Sequence, residues 1–481
     1  MWLGATLSIN LLLGLVVALG FVLKGNSLAV AARSTSPGFV SVVVEPDVHK
    51  DSWRPMLLAY WWKSADPERS IYDVFFDDQV KFQYPPSALL IFDLLPSWMT
   101  TQMRAPDPVS GDVGIGDPLL RWLDGFSTGT TIATALVSAL ILEVGLRRMN
   151  PRLPVQPAQV ALRFVLAAAL CLISYPITVA HWFGQIQVFL NFLAACGLLF
   201  YLLEREGLSG ACFGLCCLVK PQWGLLMLWA LLRRRWRFAG GMVAVLVPGL
   251  SLSLVRYGLR DHLRYLEVLQ YISRVGESYW ANQSVNGFLN RLLQNGDPYG
   301  GPTFAPYHPV VHVMTLVSSL AILVLAFWSR GGERTLAGGP VDLSVMLIAA
   351  TIGSPVAWNH HYGVFLPAIA VALPGLMRAK PRGRWMPLLF GLSYLAIASA
   401  VIRPELIYRS YWLSLAGYHM FFGGLLFFVL LLVLRAMGER VDDPAGEKER
   451  RQMKNKWRFW KGLFPRLRHQ PILEDEVVPG R

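Results

Sequence analysis

Apolar runs long enough to cross a bilayer recur along this chain, and one long polar stretch interrupts them. After a first hydrophobic run, Trp2 to Leu23, the chain turns polar and stays largely so until Tyr84-Pro85-Pro86. The polar stretch holds Glu45, Asp47, Asp51, Asp66, Glu68, Asp73, Asp77 and Asp78, with Tyr60-Trp61-Trp62 among them. A run of about 20 apolar residues spans roughly 30 Å of hydrocarbon as a helix, the form that satisfies its own backbone there. The fold expected is an all-α integral membrane protein, a polytopic helical bundle whose first outer loop carries acids and short helices. The first run is long and weakly flanked for a signal peptide, and is read as a retained helix.

Composition narrows the function classes. Charged residues make up 16% of the 481, against about 25% in soluble domains, and the mean hydropathy is +0.42. The formal net charge of +13 gathers in Arg233-Arg234-Arg235-Trp236-Arg237 and in Lys448 to Arg468. Basic clusters beside spans mark the cytoplasmic side and favour anionic headgroups, so no nucleic-acid partner is inferred. Cys171, Cys196, Cys212, Cys216 and Cys217 all fall in apolar segments without zinc-ligand spacing and are read as small buried hydrophobes. No cofactor and no metal are expected, although Glu45 and Asp47 could hold an ion.

Spans are expected near 2–23, 128–146, 161–180, 186–203, 208–219, 221–232, 238–255, 309–328, 342–356, 361–377, 386–403 and 413–435. Lys220-Pro221 should break a helix, because proline lacks a backbone donor. Basic loops at Arg147 to Arg152, the Arg233 cluster, Arg378 to Arg384 and the tail belong inside. About 12 crossings then put both termini in the cytoplasm and the carboxylate loop, 256–308, Ser354 to Tyr362 and Arg403 to Tyr411 outside. Pro85 to Trp98 is short for a crossing and is expected to be half-inserted or on the surface, with the polar loop 104–127 outside as well. Two parts follow: a transmembrane domain, 1–435, and a basic, partly amphipathic cytoplasmic tail, 436–481. In the tail, Trp457, Phe459, Trp460, Leu463 and Phe464 interleave with basic residues, as in a helix lying on an anionic leaflet.

The polar residues point to transfer chemistry. Attack by a hydroxyl needs a general base, commonly Asp or Glu. Asp51, in Asp51-Ser52-Trp53-Arg54, lies between a polar segment and an aromatic one; Asp47, in Glu45-Pro46-Asp47, is the alternative. Tyr84-Pro85-Pro86 signals a helix start. Intramembrane polar groups are costly and usually face a cavity. On that ground Gln185, in His181-Trp182-Phe183-Gly184-Gln185, is a candidate for sugar or acceptor contact, and Lys220 for a lipid phosphate. His360 and His361, in Ser354-Pro355-Val356-Ala357-Trp358-Asn359-His360-His361-Tyr362, could donate to phosphate or sugar. In Asn282-Gln283-Ser284 and the following Arg291, the amides suit sugar hydroxyls and the guanidinium suits phosphate. No Asp-x-Asp pair, Walker loop or dinucleotide fingerprint is present, which argues for a lipid-linked donor over a cytosolic nucleotide sugar.

Taken in order, the acid-bearing outer loop, Tyr84-Pro85-Pro86, Gly184-Gln185, Lys220-Pro221, Asn282-Gln283-Ser284 before Arg291, and Ser354 to Tyr362 resemble glycosyltransferase family 87. These are polytopic alpha-mannosyltransferases of the GT-C superfamily, including mycobacterial enzymes acting on phosphatidylinositol mannosides. The resemblance implies inverting transfer of a hexose, usually mannose, from a polyprenyl-phosphate donor to a lipid or glycan acceptor outside the cytoplasm of a cell with a multi-pass inner-membrane enzyme. The family's catalytic aspartate precedes a Leu-Tyr pair in the first outer loop. Ile71-Tyr72 occupies that place here and favours Asp51 over Asp47. The tyrosine that often follows the family's aspartate is absent from Asp51-Ser52-Trp53-Arg54-Pro55-Met56. Rival classes are a flippase or transporter of lipid-linked glycans, which would bring ionisable residues deep in several spans and an internal repeat, and a glycan polymerase or ligase.

Overall fold

The structure is a computed structural model and describes residues 4–12, 51–73, 81–96, 117–150, 156–299, 304–328, 338–378, 385–399 and 411–438. Glu45, Asp47, the basic residues Lys380, Arg382 and Arg384, and the tail from residue 439 lie outside the described residues, as does most of the first expected span beyond 4–12. The described residues are mainly helical, with extended pairing confined to the bridges Glu277 to Phe304 and Asn282 to Trp358.

The helices, in chain order, are α1 (Trp53–Ala65), α2 (Leu90–Asp93), α3 (Asp117–Met149), α4 (Pro157–Leu172), α5 (Tyr175–Trp182), α6 (Gln187–Leu202), α7 (Glu206–Val219) and α8 (Leu225–Leu232). They continue with α9 (Trp236–Val275), α10 (Val285–Leu292), α11 (Pro309–Trp328), α12 (Gly338–Ile352), α13 (Phe365–Arg378), α14 (Trp385–Ala398), α15 (Tyr411–Ala416) and α16 (His419–Gly438). Among the described residues, five helical segments are long and apolar enough to cross a membrane, or six if the pair α4 and α5, bent by 55°, is one span. That differs from about 12 full crossings. The reason is length: α6, α7, α12 and α14 are apolar but have 14 to 16 residues, and a helix gains only about 1.5 Å per residue.

Other boundaries move for local reasons. α3 begins at Asp117, so much of the segment expected as an outer loop is the first turns of a helix. α9 does not stop near Val255 but runs to Val275, with non-helical backbone at Gly258. Pro86–Leu89 forms a 3-10 turn and α2 adds one more turn. The pair is far too short to cross, and Pro86 to Leu90 are buried and not spread on the surface. Ser87 Oγ donates to the carbonyl of Leu218 at 2.5 Å, which ties this turn to the end of α7. The break at Lys220 is as expected: α7 ends, Lys220 is extended, and Pro221 opens a 3-10 turn.

The buried apolar residues form two cores. The larger unites α3, α6, α7, α8, α12, α13 and α16. α7 and α9 approach so closely that a Cβ on Gly210 would lie 2.0 Å from the Phe238 carbonyl, and one on Gly241 2.0 Å from that of Gly207. Small residues at such crossings let backbones touch. The smaller core joins the outer loop to the far half of α9: Trp53, Met56, Leu57, Tyr72, Phe82, Leu89 and Phe92 pack with Tyr257, Tyr265, Val268 and Ile272. Burying one such side chain contributes about 1.5–3 kcal/mol. Two acids add direction. Asp261 accepts from Ser70 Oγ at 2.6 Å and pairs with Lys63 at 3.0 Å. Asp93 accepts from Tyr257 at 2.7 Å and pairs with Arg256 at 3.2 Å. The described parts of the outer loop, 51–73 and 81–96, are thus docked on α9.

The opposite end is closed by charge. Asp342 accepts from Arg435 Nη1 at 2.8 Å, Arg233 Nε at 3.0 Å and Trp229 Nε1 at 2.8 Å. Arg435 also donates to the carbonyls of Ala326 and Leu325, and Arg233 to that of Phe327. Those carbonyls end α11 and carry its partial negative charge, which offsets the second guanidinium. Arg148 with Glu204 and Arg235 with Glu206, at 3.1 and 3.2 Å, lie at the same ends of α6 and α7. Asp342→Ala should destabilise by about 3–5 kcal/mol, because it strands two buried cations. Thermal unfolding of detergent-purified protein measures this, and an unshifted melting curve would show the cluster to be dispensable.

Candidate active site

The turn between α5 and α6 assembles the polar residues. α5 ends at Trp182, and Gly184 follows with φ of +59°. That left-handed conformation costs an L-residue about 1–2 kcal/mol, so glycine makes the reversal cheap. It delivers Gln185, Ile186 and Gln187 in succession, all buried. Ile186 fills the outer core, and the two amides flanking it serve two different polar clusters.

Gln185 serves the first. Its Nε2 donates to Asp51 Oδ2, and the Asp51 backbone N–H donates to the Phe183 carbonyl at 2.9 Å. Ser52 Oγ donates to Gln185 Oε1 at 2.5 Å. The serine proton is thereby committed, so in the 2.9 Å contact between Ser52 Oγ and Tyr84 the phenol is the donor. Tyr84, Ser52, Gln185 and Asp51 form one directional chain that ends on the carboxylate. Burial first, and the charge of Asp51 after it, push the Tyr84 hydroxyl up to about 12, so it keeps its proton and donates. Tyr72 holds the Tyr84 carbonyl at 2.7 Å. Asp51 itself is exposed.

Beside this chain lies Lys81, whose Nζ is 2.6 Å from Glu277 Oε1. Burial lowers the Lys81 ammonium from its usual range, while Glu277 and then Asp51 draw it back up. Burial raises Glu277, against the opposing pull of Lys81.

Gln187 serves the second cluster. Its Oε1 accepts from Lys220 Nζ at 2.7 Å, and its Nε2 donates to Asn191 Oδ1 at 2.9 Å. Lys220 Nζ is also 2.5 Å from His361 Nε2. The Trp358 N–H donates to His361 Nδ1 at 3.2 Å and fixes that ring. His360 meets His361 edge to face, with centroids 4.7 Å apart. Lys220, His360 and His361 are all at most 9% exposed, and among the described residues Lys220 has no carboxylate within ion-pair distance.

The amide motif plays another part than the one expected. Asn282 is wholly buried. Its Nδ2 donates to the carbonyls of Glu277 and Pro355, and its Oδ1 accepts from the Ala357 N–H at 2.9 Å. Gln283 N–H donates to the Ala357 carbonyl, Asn359 N–H to that of Ala281, and Tyr362 to that of Gln283. With its polar atoms so engaged, Asn282 buckles the 277–284 segment to the histidine loop and has none left for a sugar. Arg291 sits apart: it donates to Ser414 Oγ at 2.5 Å and lies over the rings of Tyr299 and Tyr411. Among the described residues no group of three or more His, Cys, Asp or Glu converges as a metal site. Ser52, Lys81 and Glu277 were missed by sequence reasoning. Nothing in Lys81-Phe82-Gln83 or Gly276-Glu277 marks the last two, and only the fold brings Lys81 and Glu277 together.

Residues 82–355 match glycosyltransferase family 87, more than half of the chain, and the protein belongs to that family. Two relatives from Mycobacterium tuberculosis are each 27% identical. One, a polyprenol-phosphate-mannose-dependent alpha-(1-2)-phosphatidylinositol pentamannoside mannosyltransferase of strain CDC 1551, aligns over 42% of this chain and 43% of its own. The other, a polyprenol-phosphate-mannose-dependent alpha-(1-2)-phosphatidylinositol mannoside mannosyltransferase of strain H37Rv, aligns over 67% of this chain and 66% of its own. The alignments thus cover less than two thirds of either relative's length. Asp51, His360 and His361 fall outside the family match, so their grouping rests on geometry.

Gln185→Ala should leave the fold intact, with an unchanged melting curve, and lower turnover about 10²-fold, since a carboxylate misplaced by about 1 Å loses that much. Steady-state kinetics of the purified variant test this. A rate equal to that of the unaltered protein would mean that Gln185 does not position Asp51.

Proposed function

We propose that this protein is a membrane glycosyltransferase that moves a hexose, mannose, from a polyprenyl-phosphate donor to a hydroxyl of a lipid-linked or glycan acceptor. The observation that carries this is the pair of amides two residues apart, Gln185 on an exposed carboxylate and Gln187 on a buried lysine beside two histidines. A transfer from a lipid phosphate needs those two corners, a base for the incoming hydroxyl and a cationic seat for the departing phosphate. The names of the two mycobacterial relatives support the choice of donor and of a phosphatidylinositol mannoside as acceptor class.

In this mechanism Asp51 takes the proton as the acceptor oxygen attacks the anomeric carbon. The bond from that carbon to the phosphate oxygen breaks, and its electron pair leaves with polyprenyl phosphate. Lys220, His360 and His361 hold the released negative charge. A single displacement of this kind inverts the anomeric configuration. Arg291, further off, is assigned to the lipid or acceptor side and not to the donor phosphate. The reaction is assigned to the outer, periplasmic face of the inner membrane, with both termini cytoplasmic, because the Arg148 and Arg235 end of the bundle carries the basic loops. The basic tail is assigned to the anionic inner leaflet by composition alone.

Purified protein in liposomes, offered polyprenyl-phosphate mannose, glucose and galactose with phosphatidylinositol mannosides, tests the reading. Mannose should be transferred, and Asp51→Asn should lower the rate by about 10² to 10⁴ while donor binding persists. Lys220→Ala should weaken donor binding by about tenfold to hundredfold, the worth of a hydrogen bond to a charged group, and leave acceptor affinity unchanged. Movement of the labelled lipid between leaflets without transfer would favour a flippase instead. Full activity in Asp51→Asn would remove it as the base.

A further inference from the structure

Glu277 combines two properties that rarely coexist. It is 0% exposed, yet its Oε2 has no hydrogen-bond partner among the described residues. A buried carboxylate oxygen left unpaired is costly, so a partner is expected from a ligand or a water. Its other oxygen is engaged, accepting from Lys81 Nζ at 2.6 Å and facing Gln83 Nε2 at 3.4 Å.

The backbone around it is held on several sides. Gly276 has φ of +68°, and a Cβ there would lie 1.9 Å from Asn286 Oδ1. The same Asn286 Oδ1 accepts from the Glu277 N–H at 3.1 Å. Asn282 Nδ2 donates to the Glu277 carbonyl at 3.0 Å, and Glu277 bridges to Phe304. A general structural acid would need none of this. The location is equally specific. Through Asn282, the main chain of Glu277 is joined to the loop of His360 and His361. Through the 81–84 segment it is joined to the Asp51 chain, since Lys81 and Gln83 face Glu277 while Tyr84 bonds Ser52. The transferred sugar, lying between the phosphate seat and the base, is the ligand closest at hand.

We propose that Glu277 accepts a hydrogen bond from a hydroxyl of the transferred hexose, and so helps determine which sugar the protein takes. This rests on the donor reading given above. A carboxylate suits the task because it accepts strongly and in plane, and because a sugar lacking that hydroxyl would leave its oxygen buried and unpaired. Such sites reject the deficient analogue far better than an apolar pocket could.

The test measures binding of polyprenyl-phosphate mannose, of each singly deoxygenated mannose donor, and of bare polyprenyl phosphate, to the full chain and to Glu277→Gln in nanodiscs. One deoxy donor should bind the unaltered protein about tenfold to hundredfold more weakly than the mannose donor. Glu277→Gln should weaken the mannose donor by a similar factor, show no further loss with that deoxy donor, and bind bare polyprenyl phosphate as before. Equal, additive losses in both proteins for every deoxy donor would overturn the proposal and leave Glu277 as a partner of Lys81 only. An unaltered protein that binds bare polyprenyl phosphate but gains nothing from the sugar would overturn it too. Binding of none of these lipids would bring down the donor reading itself, a result distinct from either.

Discussion

The site depends on a five-residue reversal. Between the end of α5 and the start of α6 the chain turns at Gly184, and the side chains of Gln185 and Gln187 leave in different directions. Neutral amides suit this post because each offers both a donor and an acceptor. Gln185 donates to Asp51 while accepting from Ser52; Gln187 donates to Asn191 while accepting from Lys220. A carboxylate at 185 would repel Asp51, and one at 187 would pair with Lys220. The amides hold Asp51 and Lys220 in separate hydrogen-bond networks.

That arrangement needs rigid surroundings at both ends. At the site end the outer loop is docked by apolar packing on α9 and by Asp261 and Asp93, so Asp51 and Tyr84 arrive with their backbones held. The Asn282 and Ser354 to Tyr362 segments are stitched together by hydrogen bonds, and the Trp358 N–H holds the His361 ring that faces Lys220. At the far end the Asp342 cluster closes α11, α12 and α16 with charge and not with volume. α6 joins the two ends: its 16 residues run from Gln187 toward Glu204, about 24 Å by helical rise.

Sequence patterning made much of this legible. The break at Lys220-Pro221 follows from proline chemistry alone, and the helical class follows from repeated apolar runs. Asp51 was singled out by its place at a polar to aromatic boundary, and it is the acid at the head of the Tyr84 chain, whereas Asp47 lies outside the described residues. What patterning could not supply was partnership. Arg291 and Asn282 look alike as ligand-binding types, but one is spent on Ser414 and two tyrosines and the other on backbone. Helix ends were misplaced where helices outlast their apolar stretch, as at Asp117 and beyond Gly258, because buried polar positions such as Asp261 break the apolar run without breaking the helix. Lys81 and Glu277 lie far apart in sequence and meet only in the fold.

The proposed reaction requires Lys220, His360 and His361 to seat a lipid phosphate opposite Asp51. A cryo-electron microscopy map of the protein with polyprenyl phosphate bound tests it most directly. The account predicts phosphate density within hydrogen-bond distance of Lys220 Nζ and of at least one of the two imidazoles, with the Asp51 carboxylate still held by Gln185. Phosphate density at Arg291, among Tyr299, Tyr411 and Ser414, with Lys220 still closed on Gln187, would contradict it.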